Sequence, residues 1–175
     1  DESKEIYNLI IEKGKEFKIS NCGMYAMDTM RMEKGYLHWG HDISPEENQY
    51  EAGLKFAISF KKNIDFVGKE AIKKIKKNKI KKRMAMFTLR NSKPGLPLLL
   101  HDEPIYCEGN IVGKTTSGNY SFNYSKNMSF GYINLEDSKE ELAKKTYFIE
   151  VEKKKYEAIL ETKPLHDPEN KIIKN

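Results

Sequence analysis

EPIYCEGNIVGKTTSG, Glu103–Gly118, decides the fold of this chain. Apolar and polar residues alternate on both sides of CEGN (107–110), and Glu, Gly and Asn are residues that a tight turn needs. The stretch reads as a β-hairpin. Similar short runs flank it: KRMAMFTLR (82–90), NMSFGYINL (127–135) and TYFIEVEKKKYEAILET (146–162), the last with a second turn in EKKK. Gly, Asn, Asp and Ser separate them, which is the pattern of an antiparallel β unit. A span of about 85 residues suits a small barrel or sandwich. The GKT inside the hairpin is no P-loop, because G-x-x-x-x-G-K needs a glycine five positions before Gly113, where Glu108 stands, and the segment begins within a strand. VGKTTSGNYS (112–121) then reads as a β-turn whose hydroxyls satisfy the backbone.

The pattern changes near residues 77–80, and helix-rich α+β material precedes that point. SKEIYNLIIEKGKEF (3–17) puts Ile6, Leu9, Ile10 and Phe17 on one face of a predicted helix with Ser3 as its cap. In CGMYAMDTMRMEKG (22–35), Met24, Ala26, Met27 and Met30 recur at helical spacing, which predicts a core face, and Gly35 is the expected C-cap. LKFAISF (54–60) alternates like a strand. VGKEAIKKIKKNK (67–79) predicts a helix with Val67, Ala71, Ile72 and Ile75 inward and lysines outward. Residues after Pro164 read as a polar tail.

The chain has 175 residues, a net charge of +5 and 38% hydrophobic content, enough for a real core. No apolar run approaches the ~18 residues of a membrane span. Its start, DESKEIYNLI, carries neither an initiator Met nor a signal-peptide pattern, so the chain is expected to be a segment of something longer. Cys22 and Cys107 have no metal-ligand spacing and are expected to be reduced thiols of an intracellular protein. The basic run Lys73–Arg83 lacks interleaved aromatics, which favours a solvated face over a nucleic-acid interface. His38 and His41 in HWGH, with Asp42, form the one metal candidate. A glycine between the histidines turns them apart, so packing or surface roles are preferred. No G-x-S-x-G and no Cys/His dyad stands out. Tyr36, His38, Trp39 and Glu51 remain as a ligand-facing group on a helix end and loop.

The order of the pieces carries a resemblance. CGMYAMDTMRMEKGYLHWGHDI, YEAGLKFAI, DFVGKEAI and EPIY…GNIVGKTTSGNYSFNYSKNMSFGYI resemble, in that order, the C-terminal half of the glycine-cleavage T-protein (aminomethyltransferase) family. Within it they most resemble the folate-binding region of sarcosine and dimethylglycine dehydrogenases. The resemblance implies an α+β fold: residues 1–77 as the end of a folate-binding domain, 78–165 as a C-terminal antiparallel β-barrel, and 166–175 as a tail. It implies a wall of a tetrahydrofolate funnel, with upstream parts of the same polypeptide completing it and FAD confined to an absent upstream domain. That domain would oxidise an N-methyl amine, and tetrahydrofolate would capture the carbon as 5,10-methylenetetrahydrofolate. The family's catalytic aspartate lies upstream, so no catalytic residue is assigned here and this chain alone should not catalyse. Tyr36 matches a family tyrosine beside the pterin, Trp39 is a secondary contact, and Glu51 matches a signature glutamate. Arg31 and Glu33 match the helix motif and are candidates to pair with each other or with neighbours. Met27 departs from the arginine that helps T-proteins hold folate, which favours the dehydrogenase branch. The implied location is the cytoplasm of a bacterium or the mitochondrial matrix of a eukaryote. Half a funnel leaves apolar wall exposed, so self-association is also expected.

Overall fold

The computed structural model describes residues 2–62 and 64–174. Six antiparallel strands form a closed barrel: β1 (Arg83–Leu89), β2 (Pro104–Cys107), β3 (Asn110–Ser121), β4 (Lys126–Ile133), β5 (Tyr147–Val151) and β6 (Lys154–Glu161). Their order is β1-β4-β3-β2-β5-β6, and β6 closes onto β1. The sequence pattern fixes both hairpin turns. Glu108 and Gly109 have φ of 51° and 84°, and Glu152 and Lys153 have φ of 49° and 63°. Those values match the twist of the strands they join.

Apolar residues fill the barrel. Phe87, Ile105, Tyr147 and Ile149 are fully buried there, with the Phe87 and Tyr147 rings edge to face at 5.2 Å. Gly113 exists because of a close backbone approach: an added Cβ would lie 1.8 Å from the Tyr132 carbonyl oxygen. A short helix, α4 (Lys139–Leu142), is nucleated by a capping box between Ser138 and Glu141 and buries Leu142 in the same core. In the chain before the barrel lie α1 (Glu2–Gly14), α2 (Met24–Lys34) and α3 (Lys69–Lys77).

The structure departs from several sequence expectations. Ser3 lies inside α1 and does not cap it, and no α1 residue is buried. The methionine stripe of α2 is not core: Met24, Met27 and Met30 are half or more exposed, whereas Met32 is fully buried. Met32 packs with Met86, Met128 and Phe130 on the outer barrel wall. LKFAISF forms no strand; Lys55–Ala57 is one 3-10 turn. A closed barrel offers no free edge for such a segment to join. Val67 lies before α3 and is exposed, leaving Ile72 as its buried residue. VGKTTSGNYS is strand, not turn. The polar residues after Pro164 fold back on α2: the His166 N–H donates to the Glu33 carbonyl, and Lys34 Nζ pairs with Asp167 at 3.0 Å.

Candidate functional site

The end of α2 and the loop after it are held against the barrel by a buried carboxylate. Gly35, at φ 79°, ends α2 as expected, its N–H bonded to the Met32 carbonyl. The chain then turns so that Asp42 comes back to face Arg31. Asp42 is 1% exposed. It accepts from Arg31 Nη1 at 2.5 Å, Thr116 Oγ1 at 2.5 Å, Ser117 Oγ at 2.8 Å and the His38 N–H at 2.9 Å. Tyr132 Oη donates to its carbonyl. Arg31 also donates to Asp28, to Ser117 Oγ and to the Tyr36 carbonyl, so one guanidinium spans helix, loop and β3.

The hydroxyl pair depends on a bulge. Register against β4 slips between Thr115 and Ser117, which leaves Thr116 unpaired. In a regular strand, neighbours point to opposite faces; the bulge lets Thr116 and Ser117 both reach Asp42 Oδ1. Glu33 is a second buried carboxylate from α2, 3% exposed, and accepts from Ser121 Oγ and Asn123 Nδ2. Arg31 and Glu33 therefore bind neighbours and not each other. Asp42, weighed from sequence only as a metal ligand, and the hydroxyls of TTS are the anchors that sequence reading missed. The signal was present in the hydroxyl run beside a glycine-broken strand.

Beside this latch lies a cleft of about 1070 Å³ between the end of α2, residues 50–56, the β1/β4 wall and residues 160–168. Small-molecule sites typically span roughly 300–1,000 Å³. Tyr36 lines it and is 53% exposed; Tyr50 and Phe56 add aromatic surface. Trp39 is 67% exposed and sits outside the lining. Glu51 also sits outside it: Oε2 accepts the Asn48 N–H, and the Glu51 carbonyl accepts the Met84 N–H, tying the loop to β1. The structure thus joins Tyr36 to the cleft and gives Glu51 a holding role at its edge.

The remaining chemistry-bearing groups lie elsewhere. His38 and His41 do not turn apart as expected: their rings lie 4.7 Å between centroids and tilted by 31°, while Asp42 beside them is committed to Arg31. Among the described residues no three His, Cys, Asp or Glu converge on a metal-sized space. Of the basic run, Lys73, Lys74, Lys76 and Lys77 face solvent, while Lys82 pairs with Glu47 at 2.5 Å. Cys107 is buried in the barrel, and burial pushes its thiol up. Among the described residues no helix is long and apolar enough to cross a membrane.

Comparison with known proteins agrees with this architecture. A family model described as the GCVT N-terminal domain matches residues 1–62, and one described as the glycine cleavage T-protein C-terminal barrel domain matches residues 82–167. Mitochondrial dimethylglycine dehydrogenase of Homo sapiens is 34% identical over 167 residues, 94% of this chain and 18% of that protein. The mitochondrial pyruvate dehydrogenase phosphatase regulatory subunit of Mus musculus is 36% identical over 147 residues, 82% of this chain and 17% of that protein. The chain therefore spans less than a fifth of either curated relative. The crystal structure of the glycine cleavage system aminomethyltransferase T from Bartonella henselae has the same fold, with TM-score 0.76 at 20% identity over 93% of this chain and 44% of that one. The strand-built barrel, the α2 segment latched to it and two consecutive family matches lead to one conclusion: the chain belongs to the glycine-cleavage T-protein (aminomethyltransferase) family, of which it resembles the C-terminal half.

Proposed function

We propose that this chain is the tetrahydrofolate-binding, one-carbon-transfer segment of a sarcosine- or dimethylglycine-dehydrogenase-like protein. The observation that carries the reading is Tyr36. Its carbonyl is fixed by Arg31 and its ring lines a cleft large enough for a folate. An aromatic ring offers a flat apolar face for a pterin, and its hydroxyl can hydrogen-bond. Trp39 is proposed as a secondary contact, and Glu51 as the residue that sets the loop at the cleft edge. Tetrahydrofolate, when bound, supplies the nitrogen that captures the one-carbon unit as 5,10-methylenetetrahydrofolate. This chain's own part is to bind and orient: Arg31 and Asp42 hold the α2 end rigid, and the Met86–Phe130 wall excludes water.

The rest of the reading concerns the longer polypeptide. Upstream parts of it would complete the funnel and carry any FAD, and the catalytic aspartate belongs there. The division at 77/78 is part of the proposal; it lies between the two matched stretches and between α3 and β1. A location in a bacterial cytoplasm or a mitochondrial matrix, and self-association, belong to the proposal too. Two other readings have support. One is a T-protein-like aminomethyltransferase of glycine cleavage without flavin. The other is a non-enzymatic scaffold, favoured by the similarity to a phosphatase regulatory subunit.

Trp39 is the single tryptophan of these 175 residues, and in a longer polypeptide its own emission is read as the difference between wild type and Trp39→Phe. Tetrahydrofolate titrated into the complete polypeptide that carries this chain should change Trp39 emission saturably. No change, with no binding by calorimetry, would favour the scaffold.

A further inference from the structure

The cleft has a second end that the Tyr36 reading does not use. β6 pairs with β1 only from Met86 to Leu89, so the first residues of β1 run past the seam. Strand alternation sets Arg83 on the side of Ala85 and Phe87, toward the barrel interior, and Met84 on the side of Met86. The cleft is lined from both sides, and passes from Tyr36 along Met84 and Met86 to Arg83 and Lys139 at the barrel mouth.

Arg83 is chemically incomplete there. Its Nε is buried with no hydrogen-bond partner, and among the described residues the guanidinium enters no ion pair. Buried polar groups in native proteins are almost always satisfied, so an orphan marks a bond made to something else. Lys139 stands at the rim in an exposed position. The protein packed around it and the Arg83 charge push its ammonium below the ordinary lysine value, while Glu140 opposes that shift. Cations outnumber acids in the lining, five to three. Asp167 pairs with Lys34 and Glu161 accepts from Thr88, and among the described residues Glu140 is the acid that acts on the Lys139 charge.

We propose that Arg83 and Lys139 form a carboxylate subsite at the barrel-mouth end of the cleft. On the folate reading, on which this assignment of the ligand rests, the subsite takes the glutamyl carboxylates while the pterin lies toward Tyr36. A guanidinium presents a planar fork that matches a carboxylate, and Lys139 adds a point charge. The walls between the two ends, Met84, Met86 and Phe130, suit the intervening aromatic amide.

The test uses p-aminobenzoyl-L-glutamate, which has the tail and no pterin. Methyl resonances of Met84 and Met86 should shift saturably when it is titrated into the chain. Arg83→Met and Lys139→Met should each raise the dissociation constant at least about tenfold, as loss of a charge-assisted bond does. Lys74→Met, on the exposed face of α3, should leave it unchanged. Lys139 is exposed, so its variant keeps the fold and remains informative if Arg83→Met does not. Absence of saturable shifts, or equal binding by wild type and both variants, would overturn the subsite. Tail binding lost in the two variants, combined with no tetrahydrofolate binding by the complete polypeptide, would keep the subsite and overturn the folate reading.

Discussion

Asp42→Asn is the sharpest perturbation of this structure. The carboxylate accepts four hydrogen bonds, from Arg31, Thr116, Ser117 and the His38 N–H, and is 1% exposed. Asparagine keeps one acceptor oxygen and turns an NH2 group toward at least one donor. Arg31, 15% exposed, then loses the buried partner of its charge and keeps only Asp28, itself 32% exposed. Breaking a buried pair costs about 3–5 kcal/mol, and the surviving Asp28 contact reduces this to about 2–4 kcal/mol. With a urea slope of about 1–3 kcal/mol per molar, the midpoint should fall by roughly 1–2 M. Arg31→Met should cost a similar amount. The double variant should cost less than the two together by about 1.5–3 kcal/mol, because both changes remove the same bonds. A midpoint shift worth less than about 1 kcal/mol, or additivity within about 0.5 kcal/mol, would refute the latch.

Gly113→Ala forces a Cβ to within 1.8 Å of the Tyr132 carbonyl, so β3 and β4 must part; a loss of at least about 3 kcal/mol is expected in thermal unfolding. Asp167 gives an acid limb. Burial raises its pKa, but Lys34 and the N–H groups of Ile172, Lys171 and Ile173 outweigh this and hold it at about 2. A folded value below the unfolded ~3.9 means the stabilisation is complete above pH 4 and is lost as pH falls toward 2. Protection against hydrogen exchange at residues 166–173, relative to the intrinsic rate at each pH, should therefore fall over that window in wild type, and already be low at pH 7 in Asp167→Asn; a flat wild-type protection profile would contradict this. Tyr36→Ala, at a half-exposed position, should change stability by no more than about 0.5 kcal/mol while weakening folate binding.

The barrel was legible because its information is local. Period-2 alternation and CEGN specify strands and turn without knowledge of any partner, and Gly35 announced the end of α2 by its need for a left-handed φ. Burial was less legible. The repeat of Met24, Met27 and Met30 says that a face is apolar, not what covers it; here the barrel covers Met32, two residues past Met30 and so on roughly the opposite face, and leaves the stripe open. LKFAISF failed for the opposite reason, since alternation makes a strand only where an edge is free. The site was half legible. Tyr36 could be picked out from the end of a helix, and Glu51 from its run. Asp42 and TTS lie 74 and 75 residues apart for the Thr116 and Ser117 bonds, and meet only through a bulge that no single-strand pattern reveals. Arg83 was hidden in a lysine-rich run whose other members face water or pair at the surface.

The most direct test of the central claim is the tetrahydrofolate dissociation constant of the complete polypeptide, measured by calorimetry for wild type and Tyr36→Ala. Saturable one-site binding, weakened about tenfold in the variant at unchanged melting temperature, is the predicted result. Wild-type protein that binds no tetrahydrofolate, or binds it equally well without the Tyr36 ring, would contradict the account.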